Sequence, residues 1–192
     1  LVAALSPDGG TKAAQAILTT DTCVKQRAVE IAVDGKRVRI GGMAKGSGMI
    51  MPNMATMLAF ITTDAAIESA HLQRLLSRAV AVSFNRVTVD GDTSTNDTVL
   101  VMANGASGAR ITAQNEAAFY AALEAVCIEL ARMLAIDGEG ATKFVTVRVE
   151  GCRTVADADA IARTVANSPL VKTALYGSSP NWGRVAAAAG RA

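Results

Sequence analysis

Apolar and polar positions change period several times along the chain, and each change marks an element. Arg27 to Val33 alternates with the two-residue period of a half-buried strand, Asp34-Gly35 is a hairpin pair, and Lys36 to Ile40 returns as the partner strand. Thr56 to Thr63 is a compact apolar strand. Asn85 to Asp90 alternates again, and Val99 to Ala103 reads as a buried strand ended by Asn104-Gly105. Helical spacing takes over from Thr11 to Leu18, and again after Asp64, an expected N-cap for a helix running toward Phe84. The longest helical pattern covers Ala113 to Ile136, where Phe119, Leu123, Val126, Leu130, Met133 and Leu134 trace one stripe. Beyond Asp137-Gly138-Glu139-Gly140, Thr142 to Glu150 alternates strongly, and Thr154 to Asn167 is helical. Leu170 to Tyr176 reads as a further strand, and Arg184 to Ala189 begins a last helix. Leu1 to Leu5 reads as a helix end closed by the turn cluster Ser6 to Gly10. Strands interleaved with helices give an α/β class. No repeat, low-complexity linker or clear boundary interrupts the chain, so one structural unit is expected.

Composition narrows the function. At 192 residues the chain can bury one substantial core, and with aromatics at only 4% that core must rest on small aliphatic packing. A formal charge of +2 with no block of like charges gives no electrostatic footprint for nucleic acid or an anionic membrane. No apolar run approaches the roughly 18 residues of a membrane span. Cys23, Cys127 and Cys152 are odd in number and lack paired spacing, which argues for reduced thiols in a cytoplasmic setting, with Cys127 as core filling.

Candidate chemistry concentrates in residues 42–64. A glycine-rich loop carrying Lys45 is followed by the turn pair Pro52-Asn53 and then by an apolar strand that opens at Thr56. The plain alternative is a loop feeding a core strand. Familiar motifs fail here. Lys45 precedes Gly46-Ser47 instead of following a phosphate-loop glycine, and Ser47 lacks the flanking glycines of a nucleophile elbow. The single histidine, His71, falls beside the apolar face of a helix and reads as solvated, so Ser-His, Cys-His and histidine-zinc chemistry are disfavoured. A nucleophile would need another base, and a threonine freed at a chain start has one in its own α-amine, with a pKa of about 7.7 to 8.0. The acidic loop Gly91 to Thr98 lacks the glycine and glutamate of a calcium loop, so no metal is expected there.

Four ordered stretches carry a resemblance. Gly42-Met43-Ala44-Lys45-Gly46-Ser47-Gly48-Met49 with Pro52 to Leu58 is similar to the self-cleavage region of the ornithine acetyltransferase, or bifunctional glutamate N-acetyltransferase, family of arginine biosynthesis. Ser83 to Thr98, Asp137 to Lys143 and Ser178 to Arg184 resemble the same family, so the match covers essentially the whole chain. It implies layered sheets between helices, in the fold shared with the DmpA aminopeptidases. It also implies self-cleavage between Ala55 and Thr56, so that residues 1–55 end an α chain and residues 56–192 begin a β chain.

The implied activity moves acetyl from N-acetylornithine to glutamate by double displacement on Thr56, with no metal or organic cofactor. Acetyl-CoA stays open as a donor. Matched residue by residue, the family's loop lysine is Lys45, its nucleophile Thr56 and its substrate-binding glutamate Glu139. Its upstream substrate-binding threonine falls in the Thr19-Thr20 pair, with Thr19 preferred. Lys45 suits a substrate carboxylate and Glu139 an amino group, although Glu139 also reads as a solvated helix-end acid. An α/β heterotetramer is implied. The family's oxyanion hole lies upstream of Leu1 and further contacts lie beyond Ala192, so a fragment is expected; losing one oxyanion donor costs about 2.7 to 4 kcal/mol. Two alternatives stand beside this reading. One is a self-processing DmpA-like aminopeptidase, which passes the acyl group to water, and the other is an inactive, truncated structural fragment.

Overall fold

The computed structural model of the chain describes residues 5–51 and 57–192. The expected turn at Pro52-Asn53, the junction residues Ala55 and Thr56, and most of the helix end expected at Leu1 to Leu5 lie outside the described residues. The chain divides into two compact units, residues 1–139 and 140–192, where the sequence shows no boundary.

The first unit is a four-stranded sheet layered against helices. Its strands are β1 (Lys25–Val33), β2 (Lys36–Lys45), β3 (Leu58–Thr63) and β4 (Thr98–Ala103), lying side by side in that order. The first two pairings are antiparallel and β3 with β4 is parallel. The hairpin between β1 and β2 turns on Asp34 (φ 49°) and Gly35 (φ 76°), both in the left-handed region that a tight two-residue turn with matching twist requires. One sheet face carries Val33, Val38, Ile40, Ala59 and Ile61 into the core. Helices α2 (Ser69–Val82) and α3 (Glu116–Ile136) cover that face: α3 lies on β1 and β2, and α2 packs on α3 and β4. The α3 stripe is buried at Phe119, Leu123, Val126, Leu130 and Leu134, as its spacing predicts, and Cys127 is buried with it. A short helix, α1 (Gly10–Ala16), follows the Ser6 to Gly10 turn and buries Ala14.

The second unit has a small core of Val165, Val171 and Ala188, shared by α4 (Val155–Ala166), α5 (Pro169–Tyr176) and α6 (Trp182–Ala189). Thr154 caps α4, its side chain accepting from the Asp157 N–H. Thr142 to Glu150, expected as a strand, lies in no regular element.

Four further expectations are corrected. Leu170 to Tyr176 is helical, because Ser168 caps it by accepting the Val171 N–H and Pro169 sits in its first turn, a helix-start signal stronger than the local β-branched content. Asn85 to Asp90 forms no strand; Phe84–Arg86 is one 3-10 turn, and Asp90 spends its carboxylate on neighbouring backbone instead. Asp64 is not the α2 cap. Glu68 is, accepting from the Ala70 and His71 N–H groups at 2.9 Å each, while Asp64 accepts from the Arg39 N–H. His71 is not simply solvated: its Nε2 meets the Glu116 carboxylate at 2.5 Å, pinning α2 to α3.

Candidate functional site

Register brings the candidate residues to one end of the sheet. Lys45, the last residue of β2, pairs with Leu58, the first of β3, and Leu58 pairs with Thr98, the first of β4. The chain therefore enters the glycine-rich loop where two other strands begin. Asp97 closes this end by accepting the Met57 N–H at 2.6 Å, and the Thr98 N–H donates to the Met57 carbonyl at 3.0 Å. Asp90 accepts the N–H groups of Met49 (2.6 Å) and Ile50 (3.1 Å), the Val89 N–H donates to the Ile50 carbonyl, and Thr93 Oγ1 donates to the Met51 carbonyl. The acidic loop expected to hold no metal, together with Val89 and Asp90 just before it, thus grips the backbone at residues 49–51 and 57.

Behind the loop lies a buried charge network. Lys25 is fully buried, with Nζ 2.6 Å from Asp21 Oδ1 and 2.5 Å from Asp137 Oδ2. Asp21 also accepts the Gly46 N–H at 2.7 Å, and Asp137 takes both the backbone N–H and the hydroxyl of Thr22. Burial opposes the charge on both acids, yet these donors outweigh it. Asp21 is held below its ordinary value, and Asp137 is drawn down to about 2. The network ties residues 19–25 and the end of α3 to the glycine-rich loop.

Glu139 follows directly from that helix end. Its N–H donates to the Ser47 carbonyl at 2.7 Å, and its carboxylate lies where a side chain at residue 48 would start, 2.8 Å from an ideal Cβ. Only glycine at 48 allows this approach. Ser47, itself buried, hydrogen-bonds its hydroxyl to Thr20 Oγ1 at 2.6 Å.

The proposed substrate residues therefore differ in what they touch. Lys45 is 8% exposed, and among the described residues its ammonium has no hydrogen-bond partner. Its charge reaches Asp97, whose carboxyl burial nonetheless pushes above the ordinary value. Thr19 is exposed and holds Asp21 only through its backbone N–H, whereas the hydroxyls of Thr20 and Thr22 are committed to Ser47 and Asp137. The Glu139 carboxylate has no hydrogen-bond partner among the described residues. Thr56 and Ala55 lie outside them, but Met57, next in sequence, is fixed here. Cys127 is no rival nucleophile, since burial pushes its thiol up to about 12.

Sequence reasoning missed Asp21, Lys25, Asp90, Asp97 and Asp137 as organisers of this end. The Asp97 signal was present in the motif around Asn96-Asp97-Thr98. The Lys25 partners were not legible, because they meet only after folding.

Comparison with known proteins decides the family. The model for the ArgJ family matches residues 1–192. The chain belongs to the ArgJ family. Among ArgJ relatives, the arginine biosynthesis bifunctional protein ArgJ of a Synechococcus species is 59% identical over 194 residues, covering all of this chain and 47% of that protein. The protein of the same description from Desulfotalea psychrophila is 56% identical over 195 residues, covering 100% of this chain and 50% of that protein. The chain spans about half the length of the curated ArgJ relatives it matches. A crystal structure of arginine biosynthesis bifunctional protein ArgJ from Bacillus halodurans superimposes with TM-score 0.64 at 48% identity, over 67% of this chain and 62% of that one. The mixed α/β layering described above is therefore the ArgJ fold.

Proposed function

We propose that this chain carries the self-cleavage junction and much of the substrate site of an N-terminal-threonine acetyltransferase that moves acetyl from N-acetylornithine to glutamate. The observation that carries this reading is the meeting, at one sheet end, of a largely buried lysine and a carboxylate, neither with a hydrogen-bond partner among the described residues, beside the strand that starts just after Thr56.

In the first stage Thr56 Oγ adds to the Ala55 carbonyl. The C–N bond breaks, the nitrogen takes the proton, and an ester and a free α-amine result. Water then splits the ester, leaving a carboxylate on Ala55 and a hydroxyl on Thr56. In the second stage that amine takes the hydroxyl proton as Oγ attacks the acetyl group of N-acetylornithine, and passes it to the departing amine of ornithine. The amino group of glutamate then attacks the acetyl-threonine ester. N-acetylglutamate leaves and Oγ regains a proton.

Lys45 binds substrate carboxylate, Glu139 binds an amino group, and the Thr19 hydroxyl makes a further substrate contact. A largely buried ammonium with no hydrogen-bond partner among the described residues keeps its donors for a ligand carboxylate, which favours this role for Lys45. The three free thiols fit a reducing, cytoplasmic compartment. Acetyl-CoA as a second donor and an α/β heterotetramer belong to the same reading.

The test is intact mass and acetyl transfer for the complete protein beside its Thr56→Ala variant. Two fragments meeting at Ala55/Thr56 and transfer to glutamate in the parent, with one inactive species in the variant, are expected. Cleavage that persists in the variant overturns the reading. Acyl release to water without glutamate would replace the transferase by an aminopeptidase.

A further inference from the structure

We propose that Asp97 is a positioning residue for the nucleophile, acting through the Met57 backbone and in concert with the Lys45 charge; this rests on the reading of Thr56 above. Met57 is 6% exposed, and both of its backbone polar groups are held by consecutive residues, the N–H by Asp97 Oδ1 at 2.6 Å and the carbonyl by the Thr98 N–H at 3.0 Å. That N–H belongs to the peptide bond joining residues 56 and 57. Within the parallel ladder that starts one residue later, backbone carbonyls accept the N–H groups. Here a carboxylate does so.

A carboxylate is more than this hydrogen bond requires. An asparagine would offer an acceptor without the cost of a half-buried charge, but a neutral one that holds the Met57 N–H more weakly than a charge-assisted bond does. What the charge adds is a partner for Lys45, which stands at the same level of the sheet through the Lys45, Leu58 and Thr98 register and has no hydrogen-bond partner among the described residues. Asp97 thus fixes the peptide that follows the nucleophile and balances the ammonium set aside for substrate. Its effect falls on reaction geometry, where a small displacement of reacting groups costs far more rate than affinity.

The experiment compares the complete protein with its Asp97→Asn, Asp97→Ala and Thr56→Ala variants, reading fragment formation over time by intact mass, kcat and KM for both substrates, and the unfolding midpoint. Asp97→Asn is expected to keep the parent's unfolding midpoint and to slow both cleavage and kcat about 100-fold, with a much smaller change in KM through the unbalanced Lys45 charge. Asp97→Ala is expected to lose both activities; should it fail to fold, Asp97→Asn decides alone. Parental cleavage and kcat in Asp97→Asn overturn the proposal. So does a fall in activity that merely follows a lowered unfolding midpoint. Normal cleavage in Thr56→Ala removes the nucleophile and this proposal together, whereas an uncut Thr56→Ala beside a normal Asp97→Asn removes the Asp97 role only.

Discussion

Lys25 shows how much one residue organises here. Its ammonium lies between Asp21 and Asp137 with no exposure of its own, so removing it would leave two buried carboxylates facing each other. Lys25→Ala should cost roughly 3 to 5 kcal/mol, the range for breaking a buried ion pair from one side, measured by urea unfolding. A change below about 1 kcal/mol would show that water reaches the pair. Gly48→Ala tests the opposite kind of residue. The added Cβ would stand 2.8 Å from the Glu139 carboxylate, the flexible end of a side chain, so that carboxylate moves while the backbone stays. The expected result is a raised KM with little loss of stability; an unchanged KM would separate Glu139 from substrate. The place of Lys45 in a glycine-rich loop was legible, because that loop is a local feature of the sequence. Lys25 was not, because Asp137 lies 112 residues away and nothing local announces the contact.

At the scale of elements, sequence spacing read well wherever local and tertiary demands agree. The Asp34-Gly35 hairpin and the α3 stripe were both legible, since turn chemistry and one-sided burial leave plain periodic marks. Residues 170–176 misled because a short apolar run has no period of its own, and the Ser168-Pro169 start signal settles its form. The misreading of 85–90 has a tertiary cause: the Asp90 carboxylate is committed to the Met49 and Ile50 N–H groups. The packing of α3 on β2 can be tested at Gly42, where an added Cβ would meet Ile61 Cγ1 and Leu130 Cδ1 at 3.1 Å each and the Phe60 carbonyl at 3.2 Å. These neighbours come from α3 on one side and β3 on the other, and one is backbone, so relief requires shifts of both. Gly42→Ala should therefore destabilise by about 1 to 3 kcal/mol in urea unfolding, and a neutral result would mean that α3 shifts freely on the sheet.

For the molecule as a whole, acid should act unevenly because the perturbed carboxylates named here all lie in one unit. Asp137 has a folded value of about 2 against an ordinary 3.8, so its contribution to stability is fully present above the ordinary value. It shrinks as pH falls through 3.8 and is gone below about 2. Asp21 is lowered and acts in the same sense. Asp97 is raised and acts in the opposite sense, its protonation favouring the folded state in a window above 3.8. Below that window the two Lys25 partners decide, and the unit of residues 1–139 should lose stability steeply. Residues 140–192 rest on Val165, Val171 and Ala188 and hold no counterpart of the Lys25 network among the described residues. That unit should show weaker amide protection at neutral pH, as expected of a small core, but a flatter dependence on acid. Hydrogen exchange resolved by residue between pH 6 and pH 3 measures both. Protection in α3 should fall toward that of α4 to α6 as pH drops, after correction for intrinsic exchange rates. Asp137→Asn should flatten the α3 dependence by removing one of the groups whose protonation drives it, leaving Asp21 and Glu116. An equal acid response in both units, or an Asp137→Asn profile as steep as the parent's, would show that the buried carboxylates do not govern stability in acid.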